Sequence, residues 1–269
     1  MVRWDAETLW QAIEPRLAGF TVEIVPEIDS TNTELMRRAR AGRVEPVLLV
    51  AERQTAGRGR LGRSWHSGPV GEPAAGGTRL EGPASLTFSL GLPLAPASWS
   101  GLSLAIGVAL AESLFPQVRI KWPNDLWWQD RKLAGVLVET AAAPGLSGDQ
   151  RLAVIGVGIN ILPPDAAGLS TPAAWLQELS PGLDAPATLG RVAPALVAMV
   201  QAFESGGFAP LRARFQARDA LAARTVVLSD GTQGIAQGVG EDGALLVHTS
   251  RAMMQITSAE VSVRPQAGS

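Results

Sequence analysis

The sequence predicts an α+β chain whose larger, mixed part is followed by a small all-β module. Three observations carry this. Five segments before residue 223 show helical apolar spacing or an apolar helical run, with short strand-like runs between them. After Ala223 only short β runs remain, punctuated by Asp-Gly turns. Hydrophobic residues make up 46% of the 269 and charged residues 18%, enough to bury a sizeable core. The expected division is 1–223 and 224–269.

Leu9, Ile13 and Leu17 predict an amphipathic helix over the first stretch, and Thr21–Val25 a strand. Thr31 with Glu34 fits a capping box, so a helix is expected from there to Ala41, before Gly42. Val47–Ala51 is a strand. Residues 67–84 hold dense Gly and Pro and read as a loop. Ser85–Leu90 is a strand and Ser100–Phe115, apolar on most faces, a buried helix. Val118–Lys121 is a strand ending in a Pro123-Asn124-Asp125 turn. Leu126–Trp128 and Leu133–Glu139 form a hairpin around Gln129-Asp130-Arg131, and Leu152–Gly158 is a further strand. Helices follow at Leu189–Phe203 and Pro210–Ala222. Thr225–Leu228, Gly234–Val239, Ala244–His248 and Val261–Arg264 complete the β module.

Composition excludes whole classes of chemistry. There is no Cys, so thiol nucleophiles, disulfides and Cys-bound metals are absent. Two histidines, His66 and His248, nearly exclude multi-His metal sites. The formal charge of −2 argues against bulk nucleic-acid binding. The N-terminus lacks a signal-peptide pattern, and Leu102–Phe115 is too short to span a bilayer. A soluble cytoplasmic protein is expected.

Four segments can carry chemistry. Gly57-Arg58-Gly59-Arg60-Leu61-Gly62-Arg63 alternates flexible backbone with guanidiniums, suited to an anion. The same residues are open to reading as a solvated basic loop or an RNA-binding segment. Lys121-Trp122-Pro123-Asn124-Asp125 gathers a cation, an amide and a carboxylate in a turn, which suits a nucleotide with Mg²⁺. Lys132 lies at the mouth of a strand, with alternation placing it on one face with Ala134, Val136 and Val138. Ile155-Gly156-Val157-Gly158-Ile159-Asn160 is a poor dinucleotide fingerprint. Its two glycines point instead to a ligand close against the backbone. Ser30-Thr31-Asn32 reads as a helix cap that can double as a ligand site. His66 is assigned no catalytic role.

Together with Gln54 and Ser64-Trp65, and in this order and spacing, these segments resemble the biotin–protein ligase family, in the form without the N-terminal DNA-binding domain. The resemblance extends over residues 20–265, through Gly243-Ala244-Leu245-Leu246 and Glu260-Val261-Ser262-Val263-Arg264. It implies a mixed-sheet biotin/lipoate-ligase-like catalytic domain followed by a small SH3-like β-barrel.

It implies further that Ser30, Thr31, Asn32, Gln54, Gly57, Arg58, Gly59, Arg60, Trp65, Lys132, Gly135 and Gly156 bind biotin. Arg60, Arg63, Trp65, Asn124, Lys132 and Asn160 would bind the nucleotide, and Asp125 would touch Mg²⁺ brought with ATP. Lys132 and Arg60 would carry the catalysis. The implied reaction joins biotin to AMP and then to one lysine of a biotin carboxyl carrier protein of acetyl-CoA carboxylase. The basic loop would gain order only with ligand. No specific DNA binding and no membrane are expected, and a homodimer is compatible. The long 67–84 stretch and Ser258-Ala259 depart from the family pattern. The rival readings are a lipoate or octanoate transferase of the same fold, a non-catalytic biotin-binding regulator, and an anion- or RNA-binding module.

Overall fold

The computed structural model describes residues 2–67, 82–165, 171–257 and 263–265. The sequence's expectations for 68–81 and 258–262 lie outside these.

Seven strands form one mixed sheet: β1 (Thr21–Ile28), β2 (Val47–Gln54), β3 (Ser85–Leu94), β4 (Arg119–Lys121), β5 (Asp125–Trp128), β6 (Arg131–Ala141) and β7 (Arg151–Asn160), in the order β1-β2-β3-β7-β6-β5-β4. Only β1 and β2 run parallel, and helix α2 (Thr31–Arg40) crosses between them. A crossover of this kind is what a parallel pair requires.

The strands alternate two kinds of residue. Leu48, Val50, Leu86, Phe88, Leu90, Ile155, Val157 and Ile159 face the main core. Helices α1 (Ala6–Ile13), α3 (Leu102–Leu114) and α5 (Ala185–Gly206) pack together on that side. The opposite face is covered in part by α2, over Leu35, Val47, Leu49, Leu152 and Val154. α5 is long and apolar enough to cross a membrane by composition, yet half of that stretch is buried against the rest of the fold.

Several boundaries differ from the sequence reading for local reasons. α1 stops at Ile13, because Pro15 turns Glu14–Arg16 into a 3₁₀ segment. α2 is capped by Ser30, whose Oγ accepts from Thr33 N–H, not by Thr31. Pro210 begins only a 3₁₀ turn and the five-residue α6 (Arg212–Gln216), not a long helix. The short α4 (Leu176–Leu179) and strand β11 (Met253–Ile256) were not expected.

The remaining strands are β8 (Thr225–Leu228), β9 (Gln233–Val239), β10 (Leu245–His248) and β12 (Val263–Pro265). With β11 they form a second, antiparallel sheet in the order β11-β10-β9-β8-β12. Among the described residues its end strands, β11 and β12, do not pair with each other. Trp122, almost fully buried, ties the two sheets together by donating from Nε1 to Gly243 O at 3.0 Å.

Residues 218–220 run beside β4, with Ile120 N donating to Arg218 O and Ala220 N to Ile120 O. This places Asp219 in the interior with its Oδ2 unpartnered among the described residues. Burial pushes its carboxyl up from 3.8 to about 6, against the smaller opposing pull of the Leu221 N–H. A raised acid contributes stability at low pH and loses it as pH rises through that value. Asp219→Asn is therefore expected to gain stability on the wild type between pH 4 and pH 7, by on the order of 2 kcal/mol. Urea unfolding across this range checks it, and a pH-independent difference counts against it.

Candidate active site

The second sheet face is where the small residues lie. Thr87, Ser89 and Gly91 of β3, Gly156 and Gly158 of β7 and Gly135 of β6 alternate with the core-facing residues. Of these, Gly135, Gly156 and Gly158 border a cavity of about 450 Å³ beside the N-terminus of α2, whereas Gly91 lies under Leu35 of that helix.

One end of the cavity is neutral and polar. Thr31 and Asn32 open α2 and are buried, as is Ser89. Gln54 Oε1 accepts from Thr31 N at 2.7 Å. Ser89 Oγ lies 2.7 Å from Thr31 Oγ1 and 2.6 Å from Asn32 Oδ1. Gly156 is required here by Asn32: a Cβ would fall 2.2 Å from Asn32 Oδ1. The strand glycines thus make room for side chains that line the cavity, rather than only for the ligand.

The other end is cationic. Arg58, Arg60, Arg63, Lys121 and Lys132 line it against a single carboxylate, Asp125. On a chain of net charge −2, that local excess suits an anionic ligand. Lys132 Nζ pairs with Asp125 Oδ1 at 2.7 Å. The structure corrects the expected alternation at this point. β5 and β6 shift register between Leu126 and Trp127, so Trp127 faces Lys132 while Leu126 faces Ala134. This bulge moves Lys132 out of phase with the core residues Ala134 and Val136. Its Nζ lies 3.3 Å from where a Cβ of Gly135 would sit, on the site face. Backbone bonds from Lys132 N to Pro172 O and from Ala174 N to Lys132 O hold the bulge. Asn160 Nδ2 braces it through Ala174 O at 2.9 Å and Lys132 O at 3.3 Å.

Lys121 sits on β4 directly across from Asp125. Burial pushes its ammonium down to about 8; Asp125 opposes this, while Lys132, Arg63 and Arg60 add to it. Asn124 presents Oδ1 to Arg60 Nη1 at 3.4 Å and anchors itself by donating from Nδ2 to Val136 O at 2.7 Å.

The basic loop has a structure of its own. Trp65 N donates to Gly57 O at 2.9 Å and Gly59 N to Arg63 O at 2.7 Å, with Leu61 and Gly62 turning the tip at positive φ. Composition gave no sign of this ladder, because it is made by backbone groups. It lays Trp65 over β7, where Gly158 leaves space for the indole.

Every site residue expected from sequence lines this cavity except Gly57. Gly57 backs it instead, at a place where a Cβ would meet Trp65 O at 2.5 Å. Lys121 and Gly158, noted in their segments, line it too; Phe88, Leu137, Thr171 and Ala173 also line it and were not singled out, and His66 does so as an exposed residue. The small-polar alternation of Thr87 and Ser89 with Leu86, Phe88 and Leu90 was the available signal for β3.

A mixed sheet with one small-residue face, and on it a cavity joining a neutral hydrogen-bonding recess to a cationic end, defines a binding enzyme for a ligand with a polar head and an anionic group. The chain belongs to the biotin/lipoate A/B protein ligase family, whose model matches residues 24–160. It is 37% identical over 261 residues to the bifunctional ligase/repressor BirA of Escherichia coli, covering 93% of this chain and 76% of that one. It is 33% identical to the biotin–[acetyl-CoA-carboxylase] ligase of Paracoccus denitrificans, over 87% of this chain and 96% of that one. The solved biotin protein ligase of Aquifex aeolicus in complex with biotin and ATP is similar over 91% of this chain and 99% of its own, with TM-score 0.71 and 27% identity.

Proposed function

We propose that the chain is an ATP-dependent biotin–protein ligase that forms biotinyl-5′-AMP and transfers biotin to a lysine of a carboxyl carrier domain of acetyl-CoA carboxylase. The observation that carries this is the two-ended cavity. A ureido ring offers N–H donors and a C=O acceptor, which the hydroxyls and amides of Ser30, Thr31, Asn32 and Gln54 can satisfy. A dithiolane or octanoyl head offers neither N–H nor C=O to these groups and so gains no hydrogen bond there. This favours biotin over the lipoate reading.

In the first step a biotin carboxylate oxygen attacks the α-phosphorus of ATP and pyrophosphate leaves with the electrons of the broken P–O bond. Lys132 and Arg60 neutralise charge as it gathers on the phosphoryl oxygens, and Lys121 adds to the same field. In the second step the carrier's neutral ε-amine attacks the acyl carbon, AMP departs, and the amine proton passes to solvent. Trp65 and the 57–65 loop keep water from the anhydride. Among the described residues no three His, Cys, Asp or Glu side chains gather as a metal site. Mg²⁺ would arrive on the ATP phosphates, with Asp125 as its proposed protein contact. The division 1–223 and 224–269, closure of the C-terminal sheet into an SH3-like barrel, and a cytoplasmic location alongside ATP complete this reading.

The test is ATP–pyrophosphate exchange with biotin, lipoate and octanoate. Exchange that depends on biotin alone is expected; exchange with lipoate instead overturns the assignment. Arg60→Gly is expected to release biotinyl-AMP at least about 10-fold faster, since affinity changes appear mostly in off-rates. Labelling of bystander lysines by biotin reads this out, and an unchanged release rate removes Arg60 from the lid.

A further inference from the structure

We propose that Glu139 is a positioning residue that orders the hydrogen bonds of the polar recess, making Thr31 Oγ1 an obligate acceptor for a substrate N–H. This rests on the biotin reading above and says how the ring is selected.

The chain of contacts begins at a carboxylate. Asn32 Nδ2 donates to Glu139 Oε2 at 2.9 Å and to Leu137 O at 3.4 Å. A carboxylate and a backbone carbonyl only accept, so they fix which end of the Asn32 amide points where. Oδ1 is then turned to Ser89, 2.6 Å away. Because Oδ1 cannot donate, the single proton of Ser89 goes to it. Ser89 Oγ must then receive at its second contact, from Thr31 Oγ1 at 2.7 Å. Thr31 therefore spends its own proton on Ser89. Gln54 Oε1, 3.2 Å from Thr31 Oγ1, is already served by Thr31 N at 2.7 Å. Every proton in the run points toward Glu139, and Thr31 Oγ1 meets the cavity with lone pairs only.

Three features give the relay its rigidity. Ser89, Thr31 and Asn32 are at most 3% exposed, so water does not compete for them. Thr31 and Asn32 sit in the first turn of α2, and Ser89 lies on β3, flanked by β2 and β7. Gly156 leaves the space through which Asn32 passes, since any Cβ there would collide with its amide. Glu139 lies two residues beyond Leu137, which lines the cavity, and itself does not line it. Its effect on a ligand runs through Asn32, Ser89 and Thr31.

Biotin-dependent ATP–pyrophosphate exchange tests this. Glu139→Leu removes the acceptor and frees the Asn32 amide to turn. The KM for biotin is expected to rise at least 10-fold, while the KM for ATP and kcat at saturating biotin stay within about threefold. Glu139→Gln, whose carbonyl can still accept, is expected to restore the biotin KM to within about threefold of wild type. Ser89→Ala breaks a different link and should reproduce the Glu139→Leu pattern. Cyclic carbamate analogues of biotin, with either ureido N–H replaced by oxygen, give a second readout. One of them should be discriminated against by the wild type and much less so by Glu139→Leu. Equal rises in both KM values, a Glu139→Gln variant no better than Glu139→Leu, or unchanged analogue discrimination would each overturn the relay. A wild type that exchanges with no biotin dependence would overturn the biotin reading itself, and is distinguishable from these.

Discussion

Lys132→Ala is expected to lower biotin-dependent ATP–pyrophosphate exchange by about 10²–10³-fold, some 3–4 kcal/mol of transition-state stabilisation, in a protein that still folds. The bulge in β6 places Nζ on the site face, 2.7 Å from Asp125. Removing the ammonium takes away a cation aimed at the phosphoryl oxygens and leaves Asp125 without that ion pair. The fold should survive because the backbone bonds of residue 132 to Pro172 and Ala174 do not involve the side chain. Lys132→Arg should not rescue the rate, since a planar fork cannot occupy the place of a compact ammonium. Circular dichroism and pyrophosphate exchange together check this. Near-wild-type exchange by Lys132→Ala would remove Lys132 from the chemistry.

Gly158→Ala is expected to cost about 10²-fold in kcat/KM with little change in stability. The new methyl would lie 2.4, 2.6 and 2.8 Å from Trp65 Cε2, Cζ2 and Cδ2. A rigid indole cannot yield one atom at a time, so the whole ring has to move. β7 cannot retreat, because β3 and β6 flank it. The loop has to shift with the ring, since Trp65 N is bonded to Gly57 O. Ala in place of Gly in a strand interior is itself no penalty. Gly91→Ala on the same face is the control: its methyl would meet Leu35 Cδ1 at 3.1 Å, the far end of a flexible side chain. It should leave activity unchanged. Equal activity of the two variants would show that Trp65 placement does not matter to the reaction.

The cavity-lining residues were legible where local chemistry is unusual for its element. Three arginines among three glycines, a cation and carboxylate around a proline turn, and glycines alternating with Ile and Val all depart from what packing alone asks of a loop or strand. Ser30-Thr31-Asn32, read as a cap that can double as a ligand site, does open α2, with the cap on Ser30, and lines the cavity. Ser89 and Glu139 were passed over because a lone Ser in a strand and a Glu near a strand end are ordinary. Their importance comes from partners 57 and 107 residues away in sequence.

By itself, then, the sequence determined the α+β class and most of the elements. These follow from periodicity and turn chemistry, which act over a few positions, whereas the roles given to the cavity's polar and charged residues came from the family resemblance. Only the tertiary structure decided which face Lys132 takes, because a bulge depends on the partner strand and on the 172–174 segment that holds it. Only it decided that Gly156 and Gly158 admit Asn32 and Trp65, and that Lys121 is buried among other cations. Such outcomes are set by groups brought together across the sheet, where burial and close contact depend on long-range pairing that no local window of residues contains.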